Sequence, residues 1–365
     1  MTNEAYLRVP VSLENGQSCT IEFDYALLLT RNRAFLGVSD TDFRFSGFYP
    51  ALLVYEDGDF AFNALTRAGK SHYSDLCSFD FTVRMPVDYD IACAGVKTES
   101  VSGEAKTVSV QMENAREAMF VLSRKFHTFS EKTASGVAVS AYGQDRSALK
   151  KCVRAAVSAI EYLEKTIAPF PHASFTMCLS DLAGQNLSSS GMAMMAAGSF
   201  DETDVYKQAA LQYFADRVHP NPAMEAWLTD GLSEYIAYLC VLETSGEKAF
   251  SRLIQKNMLP ALQITIPGGV TPASESARFQ TISEYETVVS LRGAAALHEV
   301  RTAMGGDAFM SGIKTYYRQN AFKTPVSDDF ARAFEDATGR SWADAIYSWL
   351  FTIGDYAGEN LYDYD

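Results

Sequence analysis

The spacing of apolar residues changes near Lys125 to Gly136, and the change divides the chain into a part that reads as sheet and a part that reads as helix. Before it, VPVSL, CTIEFDYALLL, ALLVYE, CSFDFTVRMP and KTVSVQM are short runs rich in β-branched and aromatic residues, separated by Gly, Asn and Asp turns. Such runs suit a sandwich or a saddle-shaped sheet. After it, and after one more strand, VAVSAYG, helical spacing dominates. Ser147 to Ile167 forms an amphipathic segment whose apolar face is Val153, Val157, Ile160 and Leu163, stopped by Pro169 and Pro171. Ala173 to Leu179 reads as a strand and Ser188 to Met194 as a loop; four helical segments follow residue 290. A chain of 365 residues is long enough for two domains. The expected boundary gives a β-rich domain over 1–128 and a second domain over 129–365.

Charge and composition narrow the partners. With 45 acidic and 31 basic residues the net charge is -14, which repels nucleic acid and anionic membrane alike. No window approaches eighteen uninterrupted apolar residues, so no direct membrane insertion is expected, and MTNEAYLRV lacks the basic and apolar regions of a signal peptide. The chain reads as soluble. Its compartment stays open: cytoplasmic as written, extracytoplasmic if the stretch is cut from a larger membrane protein. The six cysteines, Cys19, Cys77, Cys93, Cys152, Cys178 and Cys240, show neither Cys-x-x-Cys nor metal spacing with His, and read as buried free thiols.

The stretch richest in chemistry lies between Asp204 and Leu239. DVYKQAALQYF and AWLTDGLSEYIAYL are helical segments separated by His219-Pro220-Asn221-Pro222. Within the second, Trp227-Leu228-Thr229-Asp230-Gly231-Leu232-Ser233-Glu234-Tyr235 closely follows Trp-Leu-Asn-Glu-Gly-Phe-Ala-x-Tyr. On these residues the C-terminal half resembles the gluzincin zinc aminopeptidase family. More weakly, Phe48-Tyr49-Pro50 and Asp80 to Pro86 look like that family's N-terminal β domain. The resemblance runs from about residue 45 to 352 and is specific from about 190 onward. It implies an α+β fold: an N-terminal β-sandwich or saddle domain, then a thermolysin-like α/β domain ending in a helical lobe.

In the family a first helix carries His-Glu-x-x-His, whose imidazoles share one face and bind zinc while the Glu acts as general base, and a Glu on the next helix completes the site. Counting back from Asp230 puts Lys207 and Leu211 at the two imidazoles and Gln208 at the base. An ammonium has no lone pair to donate, an amide takes no proton from water, and a leucine coordinates nothing. Asp230 is the one remaining ligand type. The substrate loop that holds a peptide's amino terminus through a Glu corresponds to Gly191, Met192, Ala193 and Met194, with Ala193 at the carboxylate's place. The oxyanion tyrosine corresponds to Ser290, with Tyr285 as a substitute five residues earlier.

Zinc is therefore not expected as a cofactor, and no catalytic residue is expected intact. The favoured expectation is an inactive homologue, a peptide- or protein-binding or scaffolding module that takes an extended segment in its cleft. Two others stand beside it: a working hydrolase of the same family on a non-standard site, with Tyr285, Glu234 and Asp230 to be mutated first, and a structural part of a larger membrane-associated assembly. Lys207 is expected to pair with Asp230 in the metal's electrostatic place, against the simpler reading in which Asp230 caps its helix and Lys207 reaches solvent. His298-Glu299-Val300-Arg301-Thr302 begins like the zinc signature but lacks the second imidazole, which makes His298 a packing or surface residue. Ser188-Ser189-Ser190-Gly191 lacks a nucleophile elbow and reads as polar loop.

Overall fold

The computed structural model describes residues 7–56 and 58–351; the last residues of the expected second domain, 352–365, lie outside them. The chain has an α+β fold. Its central scaffold is a five-stranded sheet in the order His127–Lys132, Ala138–Gly143, Ser174–Ser180, Met192–Ala196 and Leu187–Ser189. The two inner pairings are parallel and the two outer ones antiparallel. Helix α1 (Arg146–Thr166) makes the crossover between the first parallel pair and packs on the sheet. Asp145 caps it, accepting from Ser147 N at 2.7 Å and Ala148 N at 3.2 Å. Of the expected apolar stripe, Val153, Ile160 and Leu163 are fully buried and Val157 is partly covered. Each full burial contributes about 1.5–3 kcal/mol of transfer free energy.

The N-terminal part has a three-stranded antiparallel sheet, Cys77–Pro86, Ala105–Ala115 and Val96–Ser102, and a four-stranded sheet of Gly37–Val38, Phe43–Phe45, Phe120–Ser123 and Asp90–Cys93. Two expected strands are corrected. VPVSL and CTIEFDYALLL join no ladder; of ALLVYE, Tyr55–Glu56 alone pairs, with Asp59–Phe60. Alternation is present in Val9, Val11 and Leu13 and in Ile21, Phe23, Tyr25 and Leu27, yet all seven are exposed because no neighbouring strand covers them.

The helical lobe contains the expected segments as Gly293–Met304, Gly306–Asn320, Ser327–Thr338 and Ala343–Leu350. Two π-helical turns meet at its centre, Trp227–Gly231 and Glu286–Arg292. A Cβ on Gly231 would stand 2.7 Å from Val289 O and 3.3 Å from Gly293 Cα, so the crossing depends on Gly231 having no side chain. The described cysteines are free thiols: Cys93, Cys152, Cys178 and Cys240 are buried, whereas Cys19 and Cys77 are exposed. No described helix is long and apolar enough to cross a membrane.

Candidate functional site

Helix α2 (Glu202–Leu211) starts with a capping box between Asp201 and Asp204 and buries Val205, Tyr206, Ala209 and Ala210. Lys207 projects from its other side. After Leu211 the backbone widens into a π turn, Gln212–Arg217, and the chain returns through Trp227–Gly231 into helix α3 (Leu232–Ser245). Trp227 anchors this return. It is fully buried and donates its indole N–H to Ser327 Oγ at 3.0 Å, which fixes where Asp230 and Glu234 lie one turn apart.

The expected pairing is present, with a stronger partner than the sequence singled out. Lys207 Nζ lies 3.8 Å from Asp230 Oδ1 and 3.1 Å from Glu234 Oε2, and it donates to Ser290 Oγ at 3.2 Å. The three charged side chains are 18%, 23% and 14% exposed. Burial disfavours the Lys207 charge, but Glu234 and then Asp230 outweigh it and hold the ammonium above the ordinary lysine range. Asp204 and Glu286 also face this centre, and burial, then neighbouring carboxylates, raises both above the usual carboxylate range. Lys207 does not run to solvent, and Asp230 makes no cap bond to α3.

Tyr285 closes the other side. Its hydroxyl donates to Asp230 Oδ2 at 2.5 Å, and burial followed by that carboxylate keeps the phenol well above its usual pKa. The i to i+5 pitch of the π turn brings Tyr285 and Ser290 to one side, so both reach the site. Gly69 backs the Tyr285 ring from the N-terminal part: with φ at +76°, a Cβ there would be 2.6 Å from Tyr285 Cε2. Gln208 is buried on α2, and Leu211 is buried against a cavity of about 10 Å³ that is also lined by Ser188, Ser189, Ser190 and His219. That volume accommodates about one water.

The Ser188 to Met194 loop is corrected to a hairpin. Gly191, Met192, Ala193 and Met194 are all buried, the last three in the strand next to the sheet edge, so they do not line an open cleft; the edge itself is Leu187–Ser189. Apolar alternation is absent in MAMMA because that strand is covered on both faces. Ser190 Oγ donates to Asp216 Oδ1, while His172 Nε2 is 2.7 Å from Asp216 Oδ2. The carboxylate sits between imidazole and hydroxyl, so His172 is not placed to take the serine proton. Arg116, from the N-terminal part, donates to Asp216 O at 2.8 Å and through its backbone N–H to Ser190 Oγ at 2.8 Å. His298 is a core residue, with Nδ1 3.0 Å from Tyr235 OH.

The Peptidase family M1 domain model matches residues 205–349. The chain resembles the zinc aminopeptidases of the gluzincin class. Aminopeptidase N of Lactococcus lactis subsp. lactis (strain IL1403) is 24% identical over 247 residues, covering 60% of this chain and 29% of that protein. Membrane alanyl aminopeptidase of Heliothis virescens is 27% identical over 139 residues, 36% of this chain and 13% of that one. The crystal structure of the M1 zinc metallopeptidase from Deinococcus radiodurans superposes with a TM-score of 0.64 at 17% identity, over 76% of this chain and 65% of that chain. A mutant of it bound to a Tyr-Ser-Ala substrate gives the same TM-score. This chain spans less than a third of the length of the Lactococcus relative.

Lys207, Leu211 and Asp230, the residues that the sequence resemblance matches to zinc ligands, offer an ammonium, a hydrocarbon and a carboxylate, and the carboxylate is already bonded by Tyr285 and faced by Lys207. Among the described residues no group of three or more His, Cys, Asp or Glu side chains is placed to hold a metal ion. The donor set does not fit zinc.

Proposed function

We propose that this chain is a catalytically inactive M1-like module that binds a peptide or protein segment. One observation carries the loss of chemistry: the Lys207 ammonium lies 3.1 Å from Glu234 and 3.8 Å from Asp230, at the position of the family's first imidazole. A cation built into the chain neutralises the carboxylates that a metal would otherwise meet, and Gln208 offers no base to activate water. The binding half of the reading rests on the fold. An extended segment would add as a strand at the sheet edge Leu187–Ser189, replacing the bonds that Lys70 Nζ and Gln212 Nε2 donate to the Ser188 and Ser189 carbonyls. The water-sized cavity behind that edge is too small for a side chain, so the segment would lie along the outside.

A working hydrolase on a non-standard site is the second reading, favoured by the convergence of Tyr285, Asp230 and Glu234. It is the weaker one, because the Tyr285 hydroxyl already donates to Asp230 and is not free to meet an oxyanion. Fluorogenic aminoacyl and peptide substrates separate the two. The module should release no product above a buffer blank, whereas turnover abolished by Tyr285→Phe would establish the hydrolase. Membership of a larger membrane-associated assembly is a further proposal, tested by co-purification of the native protein from solubilised membranes.

A further inference from the structure

Among the described residues the three-stranded sheet has two unpaired edges, Val96–Ser102 and Cys77–Pro86. They differ in how they are protected. On the first, Lys97 and Glu99 stand opposite Val110 and Val108, on the sheet's apolar face. Charged side chains directed to that face block further pairing, because an added strand would bury them. On the second, the same face carries Phe79, Phe81 and Val83, each left partly open to solvent. Its protective features are confined to the ends, a register shift between Cys77 and Phe79 and the proline at Pro86. The stretch from Phe79 to Met85 has neither.

That stretch is complementary to itself. Two copies placed antiparallel with Thr82 opposite Thr82 would set Asp80 against Arg84 twice, Phe81 against Val83 and Phe79 against Met85. Both Asp80 and Arg84 are exposed, on the polar face; Asp80 Oδ2 accepts from Gln111 Nε2 at 3.4 Å, and among the described residues Arg84 makes no ion pair. Other two-fold registers fail on charge. Centring on Asp80 or on Arg84 brings like charges together, and centring on Phe81 or Val83 leaves both charges unmatched. We infer that Cys77–Pro86 is the interface for a second copy of this chain, which adds by antiparallel strand pairing about Thr82 and turns the three-stranded sheet into a six-stranded one.

Charge exchange tests the register as well as the interface. Sedimentation equilibrium at physiological salt should show a monomer–dimer equilibrium for the unaltered chain. Asp80→Arg and Arg84→Asp should each weaken self-association by roughly tenfold or more, since each replaces two attractive cross-strand pairs by repulsive ones. An equimolar mixture of the two variants should dimerise again, because one copy then offers arginine at both positions and the other aspartate at both. The double variant Asp80→Arg/Arg84→Asp should also recover, which a misfolded chain would not do. A monomer at every concentration, single variants that dimerise like the unaltered chain, or a mixture that stays monomeric would each overturn the inference.

Discussion

Lys207 Nζ is closer to Glu234 Oε2, at 3.1 Å, than to Asp230 Oδ1, at 3.8 Å, so the residue one turn beyond Asp230 carries the stronger half of the pairing. Removing the ammonium would leave carboxylates facing one another with little water. Lys207→Met should therefore destabilise the fold by about 3 kcal/mol at pH 7, read from urea denaturation. The sign of the pH dependence follows from the raised Lys207 pKa. Its contribution is fully present below the ordinary lysine value of about 10.4 and is lost only as pH rises beyond that. A change under about 0.5 kcal/mol would mean that the pair is a surface contact.

The Gly231–Gly293 crossing separates two effects that oppose each other. Alanine is favoured over glycine in a helix by about 1 kcal/mol. At Gly231 the new methyl would meet backbone oxygen at 2.7 Å, which cannot move without shifting the π turn. Gly231→Ala should lose about 2–4 kcal/mol net. At Gly293 the nearest atoms stand at 3.3 and 3.9 Å, so Gly293→Ala should stay within about 1 kcal/mol of the unaltered chain. Thermal melts of the two variants side by side decide it.

Gly69 and Tyr285 should be coupled although 216 positions separate them in the numbering. Gly69→Ala adds a positive-φ penalty of about 1 kcal/mol to a clash with the phenol ring. Tyr285→Ser removes that ring. In a double-mutant cycle the two losses should fall short of additivity by about 1 kcal/mol or more. Additive losses would show that the N-terminal segment does not brace the ring.

Acid should weaken the fold from near pH 6.5 downward, before most carboxylates titrate. Burial, and then nearby Arg116, pushes the His219 pKa down to about 3; burial, and then Arg301, pushes that of His298 down to about 4. A histidine with a depressed native pKa stabilises fully above its unfolded value and loses that contribution as pH falls toward the native one. His298→Gln and His219→Gln should each flatten the fall in melting temperature between about pH 6.5 and 4.5. An unchanged slope in both would place the acid sensitivity elsewhere.

The helical half was legible because its signals are local. Asp145 as a cap, the stripe through Val153, Ile160 and Leu163, and the Trp227 to Tyr235 motif each fix a helix within a few turns, and the motif fixes the approach of Lys207 to Asp230. Glu234 was visible four residues past Asp230, but its lead over Asp230 depends on a distance that sequence does not carry. Tyr285 reaches the same side as Ser290, five residues later, because a π turn and not an α turn joins them, and the sequence carries no local mark of that turn. Gly69 gave no local sign at all, since its demand comes from a ring on another element. Met192–Met194 carries no strand signal because a strand covered on both faces loses its alternation, and VPVSL and CTIEFDYALLL keep their alternation without gaining a partner.

Metal content tests the central claim most directly. The protein is incubated with zinc, dialysed against metal-free buffer and measured by plasma emission, with Lys207→His/Leu211→His beside it as a chain in which two imidazoles rejoin Asp230. The unaltered chain should retain no stoichiometric zinc, and the double variant should gain it. About one equivalent of tightly held zinc in the unaltered chain, lost on Asp230→Ala, would contradict the account.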